Sequence, residues 1–288
     1  MSQRSVANIL PAEPIQMGNL VVKQPLPTQR VEQIHPFLLL HHFGPWAVGP
    51  GEDPLDLGPH PHRGFEPITF LYRGNLRHHD SRGNTGYLAG GDVQWMTAGM
   101  GIIHSERATK AFKETGGTIE GIQLWVNLPP EKKMIQPGYQ DMKGEDFPKV
   151  ALEGGAELRV VAGTFAGRTG PTRTQSPLLA WQLELPAGGV ARLPVPPGYN
   201  FCVYLLDGEV ELASGFPYAG PTLLNFKRDG DEVTLSGVAE RTRVLVLGGE
   251  PIGAPVVQHG PYVMNTQTEI LEAMRDYQMG KMGYYVDD

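Results

Sequence analysis

The sequence holds a single cysteine, Cys202, which excludes a disulfide framework and a cysteine-built zinc site and suits a reducing compartment. No apolar run approaches the ~20 residues that a membrane span needs, and the N-terminal stretch breaks at Pro11 before any signal-like apolar segment forms. A soluble, cytoplasmic chain that does not engage membranes is expected. Positive charge is also short: 24 Lys and Arg stand against 31 Asp and Glu, a net charge of −7, the wrong sign for neutralising phosphate backbones. Direct nucleic-acid binding is therefore not expected. Charged residues reach only 19% and aromatic residues 8%, while 37 Gly and 26 Pro punctuate the 288 positions. Such a composition argues against helix bundles and disorder and for a turn-rich, all-β protein. At roughly 150 residues per domain, the length implies two.

What is present agrees with that reading. Short apolar runs alternate with period two, as in Ile68, Phe70 and Tyr72, in Ile122, Leu124, Val126 and Leu128, and in Trp181, Leu183 and Leu185. These read as half-buried strands, whereas the continuous run Val244 to Leu247 reads as a strand covered on both faces. A helix is expected at the end of the chain, where Thr266-Gln267-Thr268-Glu269 forms a capping box ahead of Ile270, Leu271 and Met274 at helical spacing, with Gly280 to close it. Pro129-Pro130-Glu131-Lys132-Lys133 is a candidate opening for a second, short helix. The polar stretch from about 129 to 150 separates two sets of strands and reads as the link between halves 1–135 and 136–288. Phe70 to Leu76 also lines up with Tyr204 to Val210 at an offset of 134, both reading as strand, tight turn, strand. A duplicated β-barrel is the economical explanation.

Eight of the nine histidines lie between positions 35 and 104. In His60-Pro61-His62 the two imidazoles are at i and i+2, on one face of a strand, so they can grip one ion with little backbone distortion. His104 and Glu106 repeat the spacing after a glycine-rich turn around Met100. Two such pairs brought together across a small barrel would supply three neutral nitrogens and one carboxylate oxygen, a set that suits a first-row divalent ion. On residue chemistry alone, polar barrel-rim residues satisfied by backbone hydrogen bonds remain the alternative. Glu66 reads as a partner for Arg63 or a turn cap, His78 and His79 as surface residues at a strand end, one of His41 and His42 as a pocket-lining candidate, and Cys202 as a small buried hydrophobe.

The segments Gly58 to Glu66 and Gly90 to Glu106 resemble the two metal motifs of pirins, members of the cupin superfamily, and Gln123 to Pro129 and Gly249 to Tyr262 are also pirin-like. The resemblance implies an all-β bicupin: two stacked jelly-roll barrels with a short C-terminal helix. The N-terminal barrel would hold one divalent transition-metal ion through the residues matching His60, His62, His104 and Glu106. Fe(II) is the implied ion, with Cu, Ni, Zn and Mn as alternatives, since donor chemistry alone does not select among them. Glu66 stands where the general cupin pattern places its carboxylate ligand, and here the chain follows the pirins instead; Met100 replaces a residue that is often polar in the family. At the offset of 134, His60-Pro61-His62 maps to Pro194-Val195-Pro196, and Arg243 and Leu245 fall near the places of His104 and Glu106, so the C-terminal barrel is expected to be degenerate.

The resemblance further implies a quercetin 2,3-dioxygenase-like oxidoreductase, with a small phenolic substrate, O2, and Glu106 as both ligand and base. The ion would favour ionisation of a ring hydroxyl. The rival reading is an iron-dependent, redox-sensing regulator that acts through a protein partner, and a third is another cupin reaction such as isomerisation at the same ion. A monomer is expected.

Overall fold

The computed structural model describes residues 2–18 and 20–287. Alternating apolar residues between Gly, Pro and Asn breaks give strands throughout, and among the described residues no helix is long and apolar enough to cross a membrane. The strands form two copies of one arrangement. In the first, a seven-stranded sheet contains Val93–Thr97, Phe65–Arg73, Gly117–Asn127 and Phe37–Val48 as consecutive neighbours, and a four-stranded sheet runs Asp56–His62, Ile102–Ala108, Asn75–Asp80, Thr85–Ala89. In the second, the corresponding strands are Thr222–Phe226, Asn200–Asp207, Thr242–Gly249 and Leu178–Leu185 in a seven-stranded sheet, and Val190–Pro194, Glu232–Gly237, Glu209–Leu212 and Pro217–Ala219 in a four-stranded one. Neighbours in both four-stranded sheets pair antiparallel, as do Phe65–Arg73 with Gly117–Asn127 and Asn200–Asp207 with Thr242–Gly249, as in a jelly roll. The aligned hairpins are real: Phe65–Arg73 turns into Asn75–Asp80 through Gly74 at φ +90°, and Asn200–Asp207 into Glu209–Leu212 through Gly208 at φ +77°, a region glycine enters without steric cost.

By packing, the chain divides into two compact units, Met1–Ile15 with Lys23–Leu38 and Glu145–Pro251, and Gln16–Val22 with Leu39–Gly144 and Ile252–Asp288. This differs from a single cut after residue 135. Gly138–Met142, expected in the linker, is a strand paired with Val93–Thr97. The capped helix Gln267–Gln278 belongs with the histidine-bearing unit, because its apolar face, Ile270 and Ala273, buries against Ile103, Tyr262, Met264 and Met282. The Pro129-Pro130 segment makes only a 3-10 turn, Pro130–Lys132, and a six-residue helix, Lys110–Thr115, capped by Thr109, carries no strong sequence signal.

The strands expected to be half-buried are covered on both faces. Ile68, Phe70, Ile122, Leu124 and Val126 are fully buried, as are the alternating polar residues Glu66 and Asn127, and Thr69 is nearly so. What reads in sequence as a solvent face is here the lining of a barrel.

Candidate metal centre

The Asp56–His62 and Ile102–Ala108 strands are antiparallel neighbours, and the register sets His104 directly opposite His60 and Ile102 opposite His62. Side chains at i and i+2 share a face, so His62 joins the same cluster. The ring centroids stand 4.8 Å apart for His60 and His62, 4.4 Å for His60 and His104, and 4.8 Å for His62 and His104. One donor nitrogen from each lies within 4.8 Å of the others, the one such cluster of three among the described residues. Phe65 and Trp125 pack edge-on to His62 at 5.1 and 5.5 Å and fix its ring plane.

These imidazoles are prepared to donate lone pairs. His60 Nδ1 lies 2.8 Å from the Gly58 carbonyl oxygen, which fixes the proton on Nδ1 and leaves Nε2 free to coordinate. Both ring nitrogens of His62 and Nε2 of His104 are buried without a hydrogen-bond partner. Burial, reinforced by His60, holds His62 and His104 well below the usual imidazole range, so both are neutral at physiological pH. Two buried, neutral imidazoles whose donor nitrogens lack partners, His62 and His104, packed against a third, His60, are costly unless something occupies those lone pairs. The donor set fits a divalent transition ion.

Glu106 is placed beside this cluster rather than within it. A register irregularity between His104 and Glu106 brings Glu106 opposite Leu57, and its carboxylate accepts hydrogen bonds from Thr69 Oγ1 at 2.9 Å and Gln123 Nε2 at 2.8 Å. It lines an apolar pocket with Val22, His41, Phe43, Leu55 and Leu57, which also admits Thr69 and Gln123. His41 thus faces the pocket, and burial lowers its pKa to about 4, whereas His42 pairs with Glu120 at 3.4 Å. Thr69 and Gln123 had no distinct sequence signal: each is a polar residue alternating with apolar ones in a strand, the ordinary signature of a solvated face.

Two further expectations are corrected. His78 and His79 are buried, and His78 Nδ1 sits 3.2 Å from His104 Nδ1, so His78 orients a ligand candidate instead of lying at the surface. The cause is that Asn75–Asp80 is an inner neighbour of Ile102–Ala108, with Glu106 opposite His78. Glu66 does not pair with Arg63. It is fully buried, accepts from Thr97 Oγ1 at 2.7 Å, and burial raises its pKa to about 7, while Arg63 donates to the Met100 carbonyl and to Asp276. Cys202 is buried as expected, and burial pushes its thiol up to about 12.

The second barrel can be compared position by position. Val233 lies opposite Leu193 as His104 lies opposite His60, and Leu235 lies opposite Leu212 as Glu106 lies opposite His78. His60, His62, His104 and Glu106 therefore correspond to Leu193, Val195, Val233 and Leu235, all members of one buried apolar core. The prolines and the Arg243 and Leu245 positions reached by a constant offset are not the equivalents. The offset of 134 holds for one hairpin, and loops of different length shift it elsewhere; Arg243 and Leu245 lie on Thr242–Gly249, the counterpart of Gly117–Asn127.

Comparisons with known proteins agree with this geometry. The sequence profile of Pirin matches residues 19–126, and that of the Pirin C-terminal cupin domain matches residues 180–283. Pirin-like protein 2 of Arabidopsis thaliana is 37% identical over 271 residues, covering 92% of this chain and 80% of its own. The crystal structure of a quercetin 2,3-dioxygenase from Acinetobacter baumannii superimposes with a TM-score of 0.93 at 38% identity, covering 99% of this chain and all of the other. A bacterial pirin from Escherichia coli, solved in complex with nickel(II), has a TM-score of 0.67 over 85% of this chain and 99% of its own, and at 18% identity it shares the fold. With both cupin domains matched in one polypeptide, and with a histidine cluster, among the described residues, in the first alone, the chain belongs to the pirin family of cupins.

Proposed function

We propose that this protein is a metal-dependent dioxygenase that opens the ring of a flavonol-type phenol with O2. In this reading His60, His62 and His104 hold one divalent ion, Fe(II) being the resident species, and Glu106 completes the donor set. The observation that carries it is the juxtaposition of three clustered imidazoles, the donor nitrogens of His62 and His104 buried without partners, with a carboxylate that faces an apolar pocket. The quercetin 2,3-dioxygenase of similar fold and the nickel complex of the Escherichia coli pirin support the reaction class and the presence of an ion.

When bound, the ion supplies positive charge that favours the ionised form of a ring hydroxyl. The chain's own residues do the rest. Phe43, Leu55, Leu57 and Val22 give the pocket that Glu106 faces its apolar walls. Thr69 and Gln123 each hold one oxygen of Glu106, so the carboxylate is oriented toward the pocket and presents a base to the substrate hydroxyl. His78 holds His104 through Nδ1, which leaves Nε2 of His104 for the ion.

Oxygen consumption by Fe(II)-saturated protein with a panel of flavonols and catechols tests the reading. The Glu106→Gln variant, also saturated with Fe(II), should lose about 10²–10⁴ of the parent rate, the usual contribution of a positioned base. A saturated variant as fast as the parent makes Glu106 at most a ligand. A parent that consumes no oxygen with any phenol, yet changes its binding of a protein partner with iron oxidation state, replaces the enzyme by a regulator.

A further inference from the structure

The Ile102–Ala108 strand presents His104 and Glu106 to the interior, and by alternation Ile103, Ser105 and Arg107 to the other face. That other face is covered by the segment that follows the terminal helix, and the contacts repeat along its length. Met282 is fully buried against Ile103, and its carbonyl oxygen accepts from Ser81 Oγ at 2.8 Å. It also lies so close to Gly101 that a Cβ there would stand 2.7 Å from Met282 Cγ, so only glycine fits. Tyr285 OH is 2.6 Å from Ser105 Oγ, and its ring packs edge-on to His79 at 5.3 Å. Arg107 donates to Asp287 at 2.5 Å and to Asp56, on the strand that carries His60 and His62, at 2.8 Å. Between these anchors Tyr284 and Val286 face solvent. Further along, Arg63, next to His62, is tied to Asp276 of the helix at 3.1 Å.

We propose that residues 282–287 form a strap that sets the spacing of the histidine cluster from behind, with Tyr285 and Asp287 as positioning residues, so that strap docking and ion binding reinforce one another. The proposal rests on reading His60, His62 and His104 as ligands. The strap and the ion favour the same strand register, in which His104 faces His60, and each lowers the ordering cost of the other. Linkage makes the coupling reciprocal: whatever factor the strap adds to ion affinity, the ion adds to strap docking. Because the Arg107–Asp287 pair is partly exposed, the coupling belongs near the lower end of the usual range, about fivefold.

Hydrogen exchange of amides 282–287 in the full chain, with and without saturating Co(II), reads the effect with no mutation. Exchange of the strap should slow about fivefold on Co(II) addition, and the full-length double variant Tyr285→Ala, Asp287→Ala should bind Co(II) about fivefold more weakly. Tyr285→Phe, which keeps the ring against His79 and removes only the hydroxyl, should fall between parent and double variant. A strap that merely supports the fold would lower the melting temperature and leave Co(II) affinity within twofold of the parent, and that result overturns the proposal. So does strap exchange indifferent to Co(II). Parent protein that takes up no Co(II) refutes the ligand reading and the strap with it, whereas normal uptake with unchanged exchange refutes the strap alone.

Discussion

Replacement of Glu66 by Gln should change how stability depends on pH, with a sign and size that follow from burial. Glu66 is fully buried, one oxygen is held by Thr97 and the other, Oε2, has no hydrogen-bond partner. Burial raises its pKa from 4.5 to about 7 in the folded chain. Between those values the folded state binds more protons than the unfolded state, so stability is highest below about 4.5 and declines as pH rises through about 7. At about 1.4 kcal/mol per tenfold change in proton affinity, the full loss is roughly 3 kcal/mol, most of it falling between pH 5 and pH 8.5. Gln cannot ionise, so this decline disappears in Glu66→Gln. The new amide does leave donors short of partners, at about 1–3 kcal/mol, but that penalty is the same at every pH. Urea denaturation of parent and variant at pH 5 and pH 8.5 separates the two effects. The difference between the proteins should move by about 2–3 kcal/mol in the variant's favour at the higher pH. Parallel loss of stability in both proteins would show that Glu66 ionises as it would in water and that its burial carries no electrostatic cost.

Other changes act at the two ends of the histidine cluster. Lys133 is buried and donates to the Gly64 carbonyl, Asn127 Oδ1 and the Val263 carbonyl at 2.8, 2.7 and 2.9 Å, so Lys133→Met strands three acceptors and should cost about 2–4 kcal/mol in a denaturant titration; a loss under ~0.5 kcal/mol would mean that water replaces the ammonium. His62→Ala should remove Co(II) or Fe(II) binding measured by elemental analysis, while His259→Ala, at an exposed strand end, should leave it intact, and equal effects would contradict the ligand assignment. A chain cut near residue 150 should bind the ion poorly even if soluble, because it lacks the helix and strap that back the Ile102–Ala108 strand; full metal loading of that fragment would show that residues 252–287 are dispensable.

Much of the architecture was legible because β-barrel strands write their period directly into sequence. Ile122, Leu124 and Val126 are buried as their spacing predicts, the run Val244 to Leu247 is covered on both faces, and Thr266 with Glu269 forms the capping box that starts the terminal helix. His60, His62 and His104 were legible for the same reason: two residues at i and i+2 need only one strand register to meet a third. What escaped depends on partners distant in sequence. Thr69 and Gln123 carry no mark until their strands pair side by side, and His78 reads as a strand-end residue until Asn75–Asp80 is seen to lie inside the sheet. The helix could be recognised locally, but which unit it joins is decided by Ile103 and Met282, far away along the chain.

The aliphatic residues that replace the cluster in the second barrel divide the molecule thermodynamically. Leu193, Val195, Val233 and Leu235 close that interior with groups that need no partner, so its stability owes nothing to any solute. The first barrel instead keeps buried imidazole nitrogens without partners, and if an ion fills them as proposed, its stability should rise with the logarithm of free ion concentration. Chelators should consequently lower the unfolding temperature of one half and leave the other where it was, turning a single polypeptide into its own internal reference for metal availability.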